Sequence, residues 1–506
     1  MEYFQHITGM FSAMARDPWI IALIFGGSVM GLLVGVIPGL TATMALALLI
    51  NISYGMPLER AVAFLLAVYV GATSGGLCSA IMINIPGTPA AAATSLDGFP
   101  LAKQGKGGLA IGTGFIASFV GTVFSILIML TLTPVLYLIA MKFGHWEMFL
   151  LAIFGIMICG SLSTDKDPIK GWIVGFLGFA LSMVGMEEIY AYPRFTFGIF
   201  QLRGGIPLIA TLIGVFGISE VLGVLQESVP YKIEGKVGRV IPSLKVFKPL
   251  VPSILRSGII GVIIGIIPGA GEDVGAWLAY DIGKRRSKDG DKFGTGVLEG
   301  VLCPEVANNA VIGGAMIPLL TLAVPGSPPA AMFLAAMNLH GVRPGPMLNI
   351  ENPAFLPMVG AALMCASLAM LFWGLLLAKP MVGILKIKRE VLLPLVVPLT
   401  VIGAYSGGVR IFDVYLMLFA GVLGYFLRQM DYPLAPMVLG LILGPLADVS
   451  FRQALMQSRG AFLPLLQRPI GLILLASVAW LIWTGIVRAR AYYRKLAAEI
   501  SSDVSS

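Results

Sequence analysis

Long apolar stretches separated by short polar segments dominate the sequence. Each of these stretches approaches or exceeds the length of about 20 residues that a helix needs to cross a bilayer. The pattern predicts an all-α polytopic membrane protein with roughly 11 to 13 membrane-spanning segments, several of which are too long or too short to be one simple helix. The stretches lie near residues 18–37, 61–84, 108–140, 146–162, 169–186, 205–226, 253–267, 296–324, 353–384, 391–405, 411–427, 433–447 and 468–487.

One helix-breaking pattern occurs twice inside these apolar stretches. Residues 84–91 read NIPGTPAA, and residues 323–330 read AVPGSPPA. Pro and Gly free backbone polar groups, which the membrane interior tolerates only where protein or a water-filled cavity satisfies them. A hydroxyl residue, Thr88 or Ser327, directly precedes the second proline of each copy, which is the order of an N-cap followed by a first helical proline. Each copy is therefore predicted to restart a helix whose N-terminus favours an anion.

Other landmarks recur in the same order and indicate an internal duplication. The sequence GVIPG at residues 35–39 returns as GIIPG at residues 265–269. Three further pairs are Pro134 with Pro380, Gly160 with Gly403, and Pro207 with Pro436. The predicted units are an N-terminal segment 1–17, a first transmembrane repeat 18–229, a polar linker 230–250, a second transmembrane repeat 251–467, and an extra C-terminal span with a basic tail 468–506.

Loop charges favour an inverted orientation of the two repeats. Residues 284–292 carry five basic residues, whereas their counterpart in the first half has only Arg60. The bias is reversed for Lys103 and Lys106, which outnumber their counterpart Arg343. Because positive residues favour the cytoplasm, this alternation predicts an inverted repeat, which would place the substrate near mid-membrane at broken helices. A parallel repeat remains the alternative.

The earlier break in each half differs in chemistry. The first half offers Thr41 after Pro38-Gly39, whereas the second half has Glu272 and Asp273 after its Pro-Gly pair. The two carboxylates either complement the helix dipole or bind a coupling cation beside unwound backbone carbonyls. Both interpretations stay open at this point.

A polar cluster lies upstream of the second-half breaker. Asn308 and Asn309 lie in an otherwise apolar stretch, and buried amides must be hydrogen-bonded. They either meet substrate oxygens or tie one helix to another. The equivalent first-half segment, residues 71–76, is GATSGG, whose small residues suit close helix packing.

Composition excludes several classes of function. The chain is 57% hydrophobic and only 12% charged, against about 25% charged in soluble proteins. Much of its net charge of +8 lies in short loops and in the C-terminal run at residues 488–495, which suits a cytoplasmic face rather than nucleic-acid binding. The four cysteines lack metal-ligand spacing, and no Walker, zinc-helix or nucleophile-elbow motif is present. We expect neither an enzyme nor a cofactor, and the N-terminus lacks the pattern of a cleaved signal peptide.

The chain resembles the TctA-type large membrane subunit of the tripartite tricarboxylate transporter family. The resemblance rests on segments 35–43, 84–108, 267–277, 304–314 and 324–346, and it extends from about residue 18 to the end of the second half. It implies a secondary transporter of the bacterial inner membrane that imports di- or tricarboxylates with a cation gradient. It also implies two partners, a small four-span membrane subunit (TctB type) and a periplasmic solute-binding protein (TctC type). An elevator-like mechanism and a sodium ion or proton as the coupling ion are further hypotheses.

Candidate site residues follow from the breaks and the polar cluster. The predicted substrate-binding residues are Pro38, Gly39, Thr41, Asn84, Pro86, Gly87, Thr88, Pro89, Asn308, Asn309, Pro325, Gly326, Ser327 and Pro328. The predicted cation-binding residues are Gly269, Gly271, Glu272 and Asp273. The main alternative function is a passive anion channel or pore, in which repeated breaks would line a selectivity filter.

Overall fold

A computed structural model describes residues 16–163, 167–226, 237–385 and 389–505, together with Gly9, Ser12 and Met14. Most of the predicted N-terminal segment and residues 230–236 of the predicted linker lie outside the described part. The helices are α1 (Pro18–Val36), α2 (Ala42–Leu49), α3 (Leu58–Ile83), α4 (Ala91–Lys103), α5 (Gly107–Ala140), α6 (His145–Leu162), α7 (Pro168–Ser182), α8 (Leu208–Gln226), α9 (Val251–Ile266), α10 (Gly271–Arg286), α11 (Leu298–Leu322), α12 (Pro328–Leu339), α13 (Leu348–Glu351), α14 (Phe355–Leu376), α15 (Ala378–Ile384), α16 (Arg389–Gly408), α17 (Ile411–Gln429), α18 (Ala435–Gln457), α19 (Leu463–Leu466) and α20 (Pro469–Ser505).

The all-α polytopic prediction is confirmed. Within the described residues, 11 helices are long and apolar enough to cross a membrane. The predicted stretch 169–186 corresponds to the shorter helix α7, and a two-stranded antiparallel ribbon, β1 (Gly185–Met186) with β2 (Pro193–Arg194), follows it. The predicted stretch 353–384 divides into α14 and α15. The breaks shorten some helices, so that α2 and α12 are too short to span.

The first half contains a re-entrant hairpin. Helices α1 and α3 pack in parallel, because Gly27 lies against Phe64 and Gly31 lies against Val68. Helix α2 must therefore return from the break after α1 to the face of the protein where α3 begins. Small residues at this contact allow the two backbones to approach closely, as is typical of membrane helices.

The second half shows the same local geometry in the opposite direction. Residues Asn84 and Ala323 end helices α3 and α11 in the left-handed conformation, with φ of 57° and 58°. Helix α5 runs antiparallel to α3 but parallel to α11, with Gly121 against Val306 and Ser125 against Gly313. Helices α3 and α11 therefore run in opposite directions. The internal repeat itself stays a prediction, as do the domain boundaries drawn from it.

These helix directions define two faces of the protein. We call the face that carries the α4–α5 loop, the α10–α11 segment and the last turns of α20 the lysine-rich face. It holds Lys103, Lys106 and the basic run at residues 284–292. The opposite face carries the ends of α5 and α12, where His340 contacts Ser53 at 3.0 Å. Among the described lysines with placed side chains, Lys142 lies on the opposite face, at the end of α5.

The packing of α1 on α3 predicts a stability difference between two glycine substitutions. A Cβ at Gly71 would lie 2.6 Å from the carbonyl oxygen of Ser28 and 3.0 Å from the backbone nitrogen of Leu32, whereas a Cβ at Gly26 would meet nothing within 4 Å. We expect Gly71→Val to destabilise the protein by about 1–3 kcal/mol, because overpacking forces the helices apart. Thermal unfolding in detergent measures this, with Gly26→Val as the control. Equal unfolding temperatures for the two variants would contradict the described contact.

Candidate functional site

The four helix breaks meet around one cavity of about 250 Å³. Its wall contains residues from both halves of the chain and from all four breaks. Eight of the predicted site residues line it, namely Thr41, Thr88, Pro89, Gly269, Glu272, Asp273, Asn308 and Pro328. Their roles in binding stay predictions, because the cavity establishes only that they lie together.

Four helices begin at this cavity. The first residues of α2, the turn before α4, and the first turns of α10 and α12 all form part of the wall. The N-terminus of a helix carries roughly half a positive charge and unsatisfied N–H groups. Their convergence directs four positive helix ends at a wall that, within the described residues, has no Arg or Lys side chain and contains the carboxylates of Glu272 and Asp273.

Three buried polar atoms of the cavity-wall residues have no hydrogen-bond partner among the described residues. They are Oγ1 of Thr73, Oγ1 of Thr88 and Oδ1 of Asn308. The three side chains are 3%, 6% and 1% exposed. An unsatisfied buried polar atom costs about 1–3 kcal/mol, so these three atoms retain hydrogen-bonding capacity for a polar ligand or water.

Thr88 differs from the capping residue that the sequence predicted. Helix α4 begins only at Ala91, and the N-cap residue Ala90 makes no side-chain bond. The cap predicted for Thr88 is therefore wrong, and its hydroxyl is left without a partner. The prediction is correct for Ser327, whose Oγ accepts the N–H of Ala330 at 3.3 Å.

A hydrogen-bonded network joins the two halves next to the cavity. The hydroxyl of Tyr69, on α3, donates to Oε1 of Glu272 at 2.5 Å and lies 2.8 Å from Oγ of Ser327. Glu272 is 8% exposed, and no Lys or Arg of the described chain forms an ion pair with it. The neighbouring Asp273 is exposed to the cavity. The second-half break thus contributes carboxylates to a wall that otherwise presents hydroxyl, amide and apolar groups.

The two asparagines have different positions relative to the cavity. Asn309 accepts the hydroxyl of Ser74 at 2.9 Å and lies outside the cavity wall, so it ties α11 to α3. Asn308 donates to the carbonyl of Thr73 at 3.4 Å, which also ties α11 to α3, and it lines the cavity. Contact of Asn308 with substrate oxygens stays a prediction.

The remaining predicted residues shape the breaks and do not line the cavity. Asn84 is exposed at the left-handed end of α3. Gly87 donates its N–H to the carbonyl of Gly76 at 3.4 Å, and Gly271 donates to that of Gly326 at 3.3 Å. Also absent from the described wall are Pro38, Gly39, Pro86, Pro325, Gly326 and Ser327.

Three other helices close the cavity, and sequence analysis did not select their residues. Ser163 follows α6, residues 433–435 precede or begin α18, and Phe216 belongs to a π-helical turn at Ile213–Ile218 inside α8. Such π turns often occur at functional sites. The sequence feature that could have indicated this turn is the pair Gly214 and Gly217, but glycine alone does not predict a π turn.

The fold and this cavity define a multi-pass membrane protein whose broken helices surround a chamber lined by apolar, hydroxyl and carboxylate groups. The model of the tripartite tricarboxylate transporter TctA family matches residues 21–439, so the chain belongs to this family. The family is a transporter family, and TctA is the large membrane subunit of a transporter that includes partner subunits.

Two relatives come from Agrobacterium vitis. An uncharacterized 52.8 kDa protein in the TAR-I ttuC' 3' region is 34% identical over 463 residues, which cover 91% of this chain and 92% of the relative. An uncharacterized protein in the TAR-II ttuC' 3' region is 36% identical over 215 residues, which cover 42% of this chain and 89% of the relative. No solved structure matches the chain.

Thr88 and Ser327 differ in their side-chain hydrogen bonds, so we expect substitutions at the two positions to change thermal stability differently. Thr88→Val removes a hydroxyl that has no partner, so we expect unchanged or higher thermal stability. Ser327→Ala removes a helix cap and a contact of Tyr69, so we expect a loss of about 1 kcal/mol. Thermal unfolding without substrate measures both. A larger loss for Thr88→Val than for Ser327→Ala would show that the hydroxyl of Thr88 is already bonded in the empty protein.

Proposed function

We propose that this subunit imports di- or tricarboxylates together with a cation and binds them in the cavity where the four breaks meet. The observation that carries the proposal is the convergence of four helix N-termini on a cavity whose wall holds the hydroxyls of Thr73 and Thr88, which have no hydrogen-bond partner among the described residues. Hydroxyl groups can donate to carboxylate oxygens, and helix N-termini favour negative charge. Mid-membrane breaks of this kind hold substrate and ions in other secondary transporters.

The cation is proposed to bind at the second-half break. Glu272 and Asp273 lie in the first turn of α10, beside the backbone of Gly269 in the cavity wall. Glu272 is buried and forms no ion pair with a Lys or Arg of the described chain, which is costly in a low-dielectric interior, and a bound cation would offset that cost. The same cation would partly neutralise a polyanionic substrate in the cavity. Sodium and a proton are the two candidates.

The orientation follows from the distribution of lysines. Cytoplasmic loops of membrane proteins are enriched in Lys and Arg, so we infer that the lysine-rich face is cytoplasmic. The opposite face then meets the periplasm of a bacterial inner membrane. There the proposed TctC-type binding protein would deliver substrate, and a TctB-type four-span subunit would complete the membrane part.

The transport step is proposed to be elevator-like. The helices of the four breaks form one wall of the cavity, and α6, α8 and α18 supply the other. A shift of one group against the other would carry the cavity toward the opposite face. Paired broken helices near the bilayer midplane support this mechanism.

Reconstituted uptake tests the proposed function. The chain, with its small subunit and binding protein, is placed in vesicles and offered labelled citrate, malate, tartrate and succinate with an inward sodium gradient, a proton gradient or none. We expect one carboxylate to accumulate above equilibrium only with one gradient and only with the binding protein. Equilibration that ignores every gradient would instead indicate a passive pore, and no movement of any acid would contradict carboxylate transport.

Neutral substitutions at the second-half break test the cation site. We expect Glu272→Gln with Asp273→Asn to raise the cation concentration for half-maximal uptake at least about tenfold, because the carboxylates no longer attract it. Asp281→Asn is the matched control, since Asp281 lies on the same helix but is exposed and paired with Arg285. If the double variant keeps the cation dependence of the control, the two carboxylates serve only the helix N-terminus.

A further inference from the structure

A second, larger cavity of about 580 Å³ opens on the face opposite the lysine-rich face. We call it the arginine vestibule. Its wall is formed by the segment between α7 and α8, the end of α12 with the following loop, and the second half of α18. Its volume lies in the range of about 300–1,000 Å³ that is typical of small-molecule sites.

Three arginines line the vestibule. Arg194 donates to Oδ2 of Asp448 at 3.0 Å, while its Nε is buried and has no hydrogen-bond partner in the described part of the chain. Asp448 also pairs with Arg452 at 3.0 Å, so one carboxylate is shared by two guanidinium groups. Burying a guanidinium N–H without an acceptor is unfavourable. Arg452 is also paired with Glu187 at 3.2 Å, so the two guanidinium groups face two carboxylates, and what the Arg194 site retains is an N–H donor without an acceptor among the described residues.

The other two arginines are exposed to the vestibule. Among the described residues, neither Arg203 nor Arg343 has a carboxylate within 4.0 Å. The guanidinium carbon of Arg203 lies 5.3 Å from the centre of the Phe200 ring, which holds its side chain by a cation–π contact. Glu188 is the other acidic residue of the wall besides Asp448. The vestibule consequently has a net positive charge.

The vestibule and the break cavity lie along the same three helices. Each of α8, α12 and α18 contributes residues to both cavities. Between the two sets, each helix presents buried apolar residues, namely Leu212 and Ile213 of α8, Ala331 and Met332 of α12, and Met437, Val438 and Leu439 of α18. The two cavities are thus separated by a packed apolar layer, and the vestibule lies on the path from the opposite face.

We propose that the arginine vestibule is a separate binding site for carboxylate anions, occupied before substrate reaches the break cavity. Guanidinium groups bind carboxylates with paired hydrogen bonds, which suits a ligand carrying two or three of them. The positive potential would also raise the local concentration of anions that arrive from the outside. This proposal rests on the proposed function, because it assumes a carboxylate substrate.

Thiol labelling tests the vestibule without requiring transport. Asn338 is exposed and lines the vestibule, so Asn338→Cys supplies a reporter, with the parent chain as background. The rate of modification is measured with negatively charged sulfonatoethyl methanethiosulfonate and with its positively charged trimethylammonioethyl analogue. We expect the ratio of the anionic to the cationic labelling rate to be at least about fivefold higher than the same ratio for a free thiol in solution. Millimolar citrate should slow the labelling.

Three further variants, each made with the reporter, separate charge from geometry. Arg203→Gln with Arg343→Gln should abolish both the anionic preference and the citrate protection, whereas Arg203→Lys with Arg343→Lys should keep the preference but weaken the protection. Arg459→Gln, on the same face but outside the vestibule, should change neither.

The outcomes are distinct from those of the uptake experiment. The vestibule site would be overturned, even with normal uptake, if the Asn338→Cys protein shows the same ratio of anionic to cationic labelling rates as a free thiol. It would also be overturned if citrate does not slow the labelling. Citrate protection that depends on Arg203 and Arg343 would support the vestibule site even if no tested acid accumulates in vesicles. That combination of results would contradict the proposed transport but not the binding site.

Discussion

The need to satisfy backbone polar groups inside the membrane governs this structure. A helix break in hydrocarbon is tolerated only where protein supplies partners for the freed groups. Here the breaks satisfy one another or the adjacent helix, as Gly87 bonds Gly76 at 3.4 Å and Gly271 bonds Gly326 at 3.3 Å. Gly87 and Gly326 also have no room for a Cβ beside the carbonyls of Gly35 and Gly265. The breaks of each half are therefore locked together and cannot shift separately.

This constraint explains why the polar cavity forms where it does. Helices α2, α4, α10 and α12 all restart at mid-membrane breaks, so their positive ends converge. The surrounding helices are apolar, and in such an environment each hydrogen bond or charge interaction is stronger than in water. A buried atom such as Oδ1 of Asn308, which has no hydrogen-bond partner among the described residues, is accordingly costly unless a polar group bonds it.

Sequence patterns predicted the membrane class, the positions of the four breaks and eight residues of the cavity wall. They worked because Pro-Gly pairs and apolar periodicity are local signals. They failed where tertiary position decides the role. Thr88 and Ser327 occupy equivalent places in the repeated pattern, yet only Ser327 caps a helix. Asn308 and Asn309 are adjacent, but successive helical residues point in different directions, so only Asn308 reaches the cavity.

The residues that sequence analysis missed come from helices distant in the chain. Phe216 reaches the cavity through a π turn, and residues 433–435 reach it by the packing of α18. Neither contact produces a residue spacing that could be recognised in the sequence. The arginines at residues 194, 203 and 343 likewise belong to separate loops, which only the folded chain brings to one vestibule. Single arginines in loops resemble ordinary orientation signals of membrane proteins.

The apolar layer between the two cavities constrains how any anion could cross. Met437, Val438 and Leu439 are each no more than 3% exposed, and Ala331 and Leu212 on the neighbouring helices α12 and α8 are fully buried. A carboxylate moved through this layer would lose its hydration without gaining a partner, at a cost of several kcal/mol or more. Passage therefore requires α12 and α18 to move apart or to slide past each other. Because the glycine contacts lock the breaks of each half together, movement of a whole group of helices disturbs fewer of these contacts than the opening of one break alone.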